Sequence, residues 1–362
     1  MLVHPCPDST FRIDWQVPAG YDLDAETASG ALDARIRAVI GDVDHEVVWS
    51  SVYRFHSRVV DRMRCGRVLL AGDAAHLVSP FGARGLNSGV ADAENAAWKI
   101  AWVGRGWAPE ELLESYHAER HAAARENVAV TTATMDFLVP RDAERARARA
   151  EVLAAAATDP AARARVDSGR LAEPFWYVDS ALTTADARRP FAGRPARGEV
   201  PPAGPGVLVP DAPVRSPAGP GRLRALARDG FLLLTAPLAD ADAVAAAAAG
   251  APGPVRVLAL AELDGRTGTG ARDGDGDGDG DGDGDGDGGG PTVTAALAAR
   301  PDEVWLLRPD AHVAAVLAAP SRDDVAAALA RATARGTTAP RTRTRTSNGP
   351  EEGHDGVLQA SR

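Results

Sequence analysis

The sequence predicts an α/β protein (α+β mixed) built from more than one folding unit, and three observations predict it. First, the apolar stretch Val68-Leu69-Leu70-Ala71 runs into a Gly72-Asp73 turn, then a glycine-bearing loop, then a helix, as at the edge of a sheet. Second, proline and glycine crowd residues 188–220, which marks a domain boundary. Third, strands and helices alternate again beyond that boundary, so a second α/β unit follows the first.

The elements follow in order. Phe11 to Val17 alternates apolar and polar residues like a half-buried strand, with no partner strand expected before it. Asp24 to Ile40 carries helical spacing through Ala28, Ala31, Leu32, Ile36, Val39 and Ile40, and stops at Gly41. Val47 to Val60 is rich in β-formers and reads as a strand. A helix is expected from about Ser88 to Val103, with Val90, Ala93, Ala97, Ile100 and Ala101 on one face. A long helix begins near Pro109 and runs to about Phe137, and residues 141–166 form a helical connector. Past the boundary, Phe231–Leu234 and Val255–Leu258 are buried strands around an alanine-rich helix, Asp240–Ala249. Val304–Leu307 and Val313–Leu317 flank Arg308-Pro309-Asp310 as a hairpin, and Asp323–Ala334 closes with a helix. The domains expected from this pass are residues 1–65, 66–137, 138–190 and 191–335. A low-complexity insertion occupies 271–290, and a disordered tail 336–362.

Composition narrows the function. The formal net charge is −10, but eight aspartates lie in one Asp-Gly run, Asp273 to Gly288, and without them the balance is near neutral. That run does not fit an EF-hand, because its twelfth position is Gly284 where a bidentate Glu is required. No basic stripe with interleaved aromatics points to nucleic acid. No apolar run approaches a membrane span. The two cysteines, Cys6 and Cys65, form neither a disulfide framework nor a metal spacing, which suits the cytoplasm.

The chemistry concentrates between Gly72 and Asn87. Asp73 has two readings, a helix N-cap for a helix starting at Ala74, or a carboxylate offered to ligand hydroxyls while Gly72 lets the backbone come close. Pro80, Phe81, Gly82, Gly85, Leu86 and Asn87 form a glycine-freed loop that opens a helix, whose N-terminus can hold an anion or an electron-rich ring edge. His76 reads as a structural histidine, since no Ser, Cys or carboxylate partner lies at a useful spacing. No catalytic residue or metal ligand is assigned.

Three segments together carry a family resemblance. They are Gly72-Asp73-Ala74-Ala75-His76, Pro80-x-Gly82-Ala83-Arg84-Gly85-Leu86-Asn87, and Asp92-x-x-Asn95-x-x-Trp98-Lys99-Ile100-Ala101. This block resembles the second FAD-binding motif of class A flavoprotein aromatic hydroxylases, relatives of para-hydroxybenzoate hydroxylase, phenol hydroxylase and pentachlorophenol monooxygenase. Arg12 to Gln16 resembles a substrate-domain strand of that family, and Tyr116-x-x-Glu119-Arg120 the helix after the motif. Gly204-Pro205-Gly206 to Arg308-Pro309-Asp310 resembles the thioredoxin-like C-terminal domain of the phenol hydroxylase branch, without a Cys-x-x-Cys pair. The resemblance implies an incomplete FAD-binding hydroxylase fold followed by a thioredoxin-like α/β domain.

The same resemblance implies roles. Asp73 would bind the ribityl chain of FAD, Pro80 to Gly82 would line the isoalloxazine ring, and Gly85, Leu86 and Asn87 would offer N–H groups to its pyrimidine side. NAD(P)H would reduce the flavin, oxygen would add to give a C4a-hydroperoxide, and a small phenolic substrate would take the distal oxygen. The partners implied are that aromatic substrate and O2, with neither nucleic acid nor membrane. The family's Gly-x-Gly-x-x-Gly turn for the ADP half of FAD has no counterpart here; Gly268-Thr269-Gly270 lacks the third glycine. The family's second Asp-Gly motif has no counterpart here either. The chain therefore reads as the C-terminal portion of a hydroxylase, inactive alone and completed by a separate N-terminal FAD-binding half. The alternatives are a non-catalytic remnant that dimerises or binds a partner, and a related flavin oxidoreductase that does not hydroxylate.

Overall fold

The computed structural model describes residues 1–336 apart from 19, 141, 168–170, 197–198, 217–218 and 266–290. The Asp-Gly insertion and the tail expected beyond residue 336 lie outside the described residues. The chain divides into two units, one holding Met1–Arg54 and the other running from Phe55 onward.

In the first unit, β1 (Leu2–Pro5) pairs antiparallel with β2 (Phe11–Asp14), placing Val3 opposite Ile13. The strand at Phe11 thus has a partner before it, contrary to the sequence expectation, because the Pro7–Ser9 turn folds the chain back. The helix expected over Asp24–Ile40 is two helices, α1 (Leu23–Ala28) and α2 (Ala31–Ile40). Asp22 caps α1 by accepting from the N–H groups of Asp24 and Ala25. Gly30 breaks the run with φ +79°, a left-handed turn that costs glycine little. Val47 to Ser57 forms no strand: Val48, Trp49 and Tyr53 are exposed, and β-propensity alone does not make a sheet.

The second unit opens with short ladders. β3 (Arg58–Val59) pairs with β6 (His76–Leu77), and β4 (Arg64–Cys65) pairs with β5 (Val68–Leu69). Between β5 and β6 lies a single 3-10 turn, Gly72–Ala74. Two long helices follow, α3 (Arg84–Gly104) and α4 (Leu112–Leu138), packed on each other, then α5 (Ala143–Ala155) and α6 (Pro160–Ala164).

The face that α3 buries is not the apolar one. Val90, Ala93, Ala97, Ile100 and Ala101 are exposed, Val90 at 58% and Ile100 at 51%. Arg84, Ser88, Asp92, Asn95 and Lys99 point inward instead, because each finds a hydrogen-bonding partner there.

After β7 (Pro213–Ser216), β8 (Gly219–Arg222) and α7 (Leu223–Ala227), the chain builds its main sheet. β9 (Phe231–Thr235), α8 (Ala241–Ala249) and β10 (Val255–Ala259) form a parallel βαβ unit, followed by α9 (Leu260–Leu263) and α10 (Val293–Leu297). β11 (Glu303–Leu307) and β12 (Val313–Ala318) form an antiparallel hairpin, and α11 (Arg322–Ala332) completes the unit. Strand order is β10-β9-β11-β12, with β11 antiparallel to β9, the arrangement of a thioredoxin-like unit.

β9 and β11 are buried along their whole length, so both read as continuous apolar runs rather than alternations. Phe231, Leu233, Val304 and Leu306 pack on α8 and α11; Leu232, Leu234, Trp305 and Leu307 pack on α7, α9 and α10. Trp98 and Trp102 of α3 enter the first of these cores edge-on to Phe231, at 5.8 and 4.9 Å between ring centres. Among the described residues, no helix is long and apolar enough to cross a membrane.

Candidate functional site

The Gly72–Ala74 turn is set by backbone geometry. Gly72 takes φ +56°, and a Cβ built on Gly89 would lie 3.4 Å from the Gly72 Cα, so the turn lies directly against α3. The Gly72 N–H donates to Asp92 Oδ2 at 2.9 Å, which fixes the turn to the third turn of α3. Asp73 is exposed at the tip. No helix begins at Ala74, and the Asp73 side chain makes no capping hydrogen bond, so the N-cap reading fails. Its carboxylate accepts no hydrogen bond and joins no ion pair among the described residues.

The loop from Pro80 brings the chain to α3. Pro80 is exposed, Phe81 and Gly82 are half-buried, and Gly82 (φ +80°) and Ala83 (φ +53°) turn left-handed before the helix starts at Arg84, four residues earlier than expected. No side chain caps this N-terminus. Gly85 and Leu86 fall in the first turn, before the first intrahelical acceptor comes within reach. Asn87 is the first residue whose N–H has such an acceptor, the Ala83 carbonyl, and its Nδ2 donates to the same oxygen at 2.7 Å. The uncapped donors and the positive end of the dipole thus belong to the same 21-residue helix, α3, that the exposed Asp73 turn packs against at Gly89 and Asp92.

Beneath the turn lies a buried charge network. Asp92 accepts from Gly72 N–H and lies 2.7 Å from His76 Nε2 through Oδ2; Oδ1 accepts from Arg120 Nε at 2.7 Å. Burial alone would raise the Asp92 carboxyl, but the bonds to His76 and Arg120 hold it below the ordinary carboxylate range. His76 therefore does have a carboxylate partner, sixteen residues on, contrary to the sequence reading; it is buried, with Nδ1 unpartnered among the described residues.

A second cluster joins the helices to the β11–β12 hairpin. Glu119 accepts from Lys99 Nζ (2.7 Å), Asn95 Nδ2 (2.8 Å), Ser180 Oγ (2.5 Å) and both Nη atoms of Arg308 (2.6 and 2.9 Å). Asp310 accepts from Arg308 Nε and Nη2 and from Trp98 Nε1. Burial would raise Glu119 and Asp310, yet Arg308 holds both low, Asp310 well below the usual range. Burial brings Lys99 down to about 8, against the pull of Glu119. Tyr177 ties the clusters together, its hydroxyl accepting from Arg120 Nη1 (3.0 Å) and Asn95 Nδ2 (3.3 Å), and burial pushes it up to about 12. The structure thus brings Asp92, Asn95, Trp98, Lys99, Glu119, Arg120, Arg308 and Asp310, three separate sequence motifs, into one buried place. Tyr177 and Ser180 were missed because nothing in the connector's composition marks them. Among the described residues, no group of three or more His, Cys, Asp or Glu side chains could hold a metal.

The chain is similar to known proteins in sequence and in fold. Residues 7–131 match the family model described as FAD binding domain. The chain is 43% identical over 139 residues to rifampicin monooxygenase of Streptomyces venezuelae, covering 37% of this chain and 29% of that protein. It is 40% identical over 136 residues to dialkyldecalin synthase of Streptomyces rugosporus, covering 36% and 29%. In fold it is similar to the flavin-dependent monooxygenase PieE, solved in complex with FAD and substrate, with TM-score 0.65 and 26% identity over 88% of this chain and 56% of that one. The chain thus matches under a third of the length of these curated relatives and about half of the solved neighbour. Residues 7–131 thus match the FAD binding domain model, and the chain is similar in fold to part of a flavin-dependent monooxygenase.

Proposed function

We propose that this chain supplies the flavin-facing part of an FAD-dependent monooxygenase that hydroxylates a phenolic or other aromatic substrate, with NAD(P)H as reductant and O2 as co-substrate. The observation that carries the reading is the exposed Asp73 carboxylate, unpartnered among the described residues, on a turn fixed against α3, a helix whose N-terminus no side chain caps. The residues fit the cofactor: a carboxylate for polyol hydroxyls, and free N–H groups with a helix dipole for the electron-rich edge of a ring. When bound, the flavin supplies the redox chemistry and the activation of oxygen.

The chain's own residues do the rest. Asp73 accepts from ribityl hydroxyls. Gly85 and Leu86 donate backbone N–H groups, and Asn87 braces the loop through the Ala83 carbonyl. Pro80, Phe81 and Gly82 form an apolar wall that excludes water from the ring. Asp92, charged and held by Arg120, keeps the turn in place through the Gly72 N–H. The exposed apolar face of α3 supports association with a separate FAD-binding half or a second copy. The two exposed free thiols, Cys6 and Cys65, suit the reducing cytoplasm.

The test is FAD binding read by quenching of flavin fluorescence. Asp73→Ala should weaken binding at least about tenfold, as loss of charged hydrogen bonds worth ~1.5–3 kcal/mol implies. Unchanged affinity would remove Asp73 from the site. One observation favours a second reading, a flavoprotein that does not hydroxylate: one of the relatives is a dialkyldecalin synthase. Incorporation of labelled oxygen into a phenolic product by the completed enzyme would exclude it.

A further inference from the structure

One stretch of the connector reaches both halves of the candidate flavin site. Ala172 N–H donates to the Gly82 carbonyl at 2.8 Å, and Arg84 Nη2 donates to the Leu171 carbonyl at 3.1 Å. Five residues on, the Tyr177 hydroxyl accepts from Arg120 Nη1, Arg120 Nε donates to Asp92 Oδ1, and Asp92 Oδ2 accepts the Gly72 N–H. The loop and the turn therefore hang from the same segment by independent bonds.

That segment is anchored to the thioredoxin-like unit at its other side. Tyr177 N–H donates to the Gly206 carbonyl at 2.7 Å, and Gly206 N–H in turn donates to the Val313 carbonyl of β12. The Tyr177 ring lies 4.3 Å from that of His312, whose Nε2 is 3.3 Å from the Phe175 carbonyl. Thr184 N–H donates to the Ala314 carbonyl. A Cβ on Gly206 would come within 2.5 Å of the Val178 backbone, so the segment is seated with no slack.

We propose, resting on the flavin reading above, that Leu171–Tyr177 is a strap by which the thioredoxin-like unit positions the cofactor site: Tyr177 positions the Gly72-Asp73 turn through Arg120 and Asp92, and Ala172 positions the loop at Gly82. The thioredoxin-like unit, which contains no cysteine, thus acts on the flavin site mechanically rather than by thiol chemistry. Tyr177 is a positioning residue, since it touches neither Asp73 nor the helix N-terminus.

The test is Tyr177→Phe, which removes one oxygen and keeps the ring on His312. Amide hydrogen exchange is read in the cofactor-free protein at Gly72, with β9 as internal control. Gly72 should exchange about tenfold faster while β9 keeps its wild-type rate, and the dissociation constant for FAD should rise about three- to tenfold. Exchange at Gly72 that stays at the wild-type rate, or that rises only together with β9, would overturn the strap. If Tyr177→Phe does not fold, His312→Ala loosens the Tyr177 ring without touching Arg120 or Asp92 and carries the same readout. Failure of the wild-type chain to bind FAD even together with an N-terminal FAD-binding half, while Gly72 still responds, would overturn the flavin reading and leave the strap standing. FAD binding with an unresponsive Gly72 would overturn the strap alone.

Discussion

Replacing Arg308 with methionine isolates the energetics of the buried network. Arg308 is fully buried and makes four side-chain hydrogen bonds, two to Glu119 (2.6 and 2.9 Å) and two to Asp310 (3.0 and 2.6 Å). Its guanidinium also lies 5.3 Å from the Trp98 ring centre and 4.9 Å from that of Tyr177. Methionine fills part of the volume and returns none of the charge. Glu119 then keeps Lys99, Asn95 and Ser180, whereas Asp310 is left with neutral donors and His312. Breaking a buried pair from one side costs about 3–5 kcal/mol, because the stranded carboxylate stays out of water. At ~2–4 °C per kcal/mol for a unit of this size, the melting point should fall by roughly 6–20 °C.

Urea denaturation and calorimetry would measure both quantities, and Asp310→Asn closes a double-mutant cycle. Because the second substitution removes a charge the first has stranded, the double variant should lose less than the sum of the singles by at least about 1 kcal/mol. A loss for Arg308→Met under ~1 kcal/mol, the scale of an exposed ion pair, would refute the argument. So would strict additivity.

Acid should unfold the same network. Asp92, Glu119 and Asp310 all titrate lower in the folded chain than their ordinary values of 3.8, 4.5 and 3.8, so their stabilisation is complete above about pH 5 and drains away as pH falls below 4. The urea midpoint should therefore drop between pH 6 and pH 3, with a shallower drop in Asp310→Asn; parallel slopes would contradict it. Gly206→Ala places a Cβ 2.5 Å from the Val178 backbone at φ +83° and should cost about 3 kcal/mol or more. A thermal shift within a degree of the wild type would show that the backbone yields there.

Local chemistry made the turn and loop at 72–87 legible in the sequence: a Gly-Asp after an apolar strand and glycines before a helix permit few backbone paths. The second α/β unit was legible for a related reason, since its central strands are apolar on both faces. Helix α3 shows where that kind of reasoning stops. Its period was readable, but not which face turns inward. Arg84, Ser88, Asp92, Asn95 and Lys99 recur at helical spacing as clearly as the apolar stripe does, and they are buried because their partners arrive from afar: Arg120 is 28 residues from Asp92, and Arg308 is 189 from Glu119. A polar stripe at a helical period, matched by Glu119-Arg120 and Arg308-x-Asp310 elsewhere, is the signal that points to a buried network. Residues 47–57 failed in the opposite sense, because strand-forming side chains do not supply the neighbouring strand.

The docking of Trp98 and Trp102 beside Phe231 also bears on how this protein can be handled. The proline- and glycine-rich stretch at 188–220 looks like a place to divide the chain, yet the aromatic rings and paired charges interlock across it. A piece ending there would bare two tryptophans and the Glu119–Lys99 pair, and the complementary piece would bare Phe231 and Arg308. Each would be a sticky half rather than a domain. A protease nick in that stretch would instead leave the two fragments clasped together, a split protein whose halves recognise one another by the fit of their rings and charges.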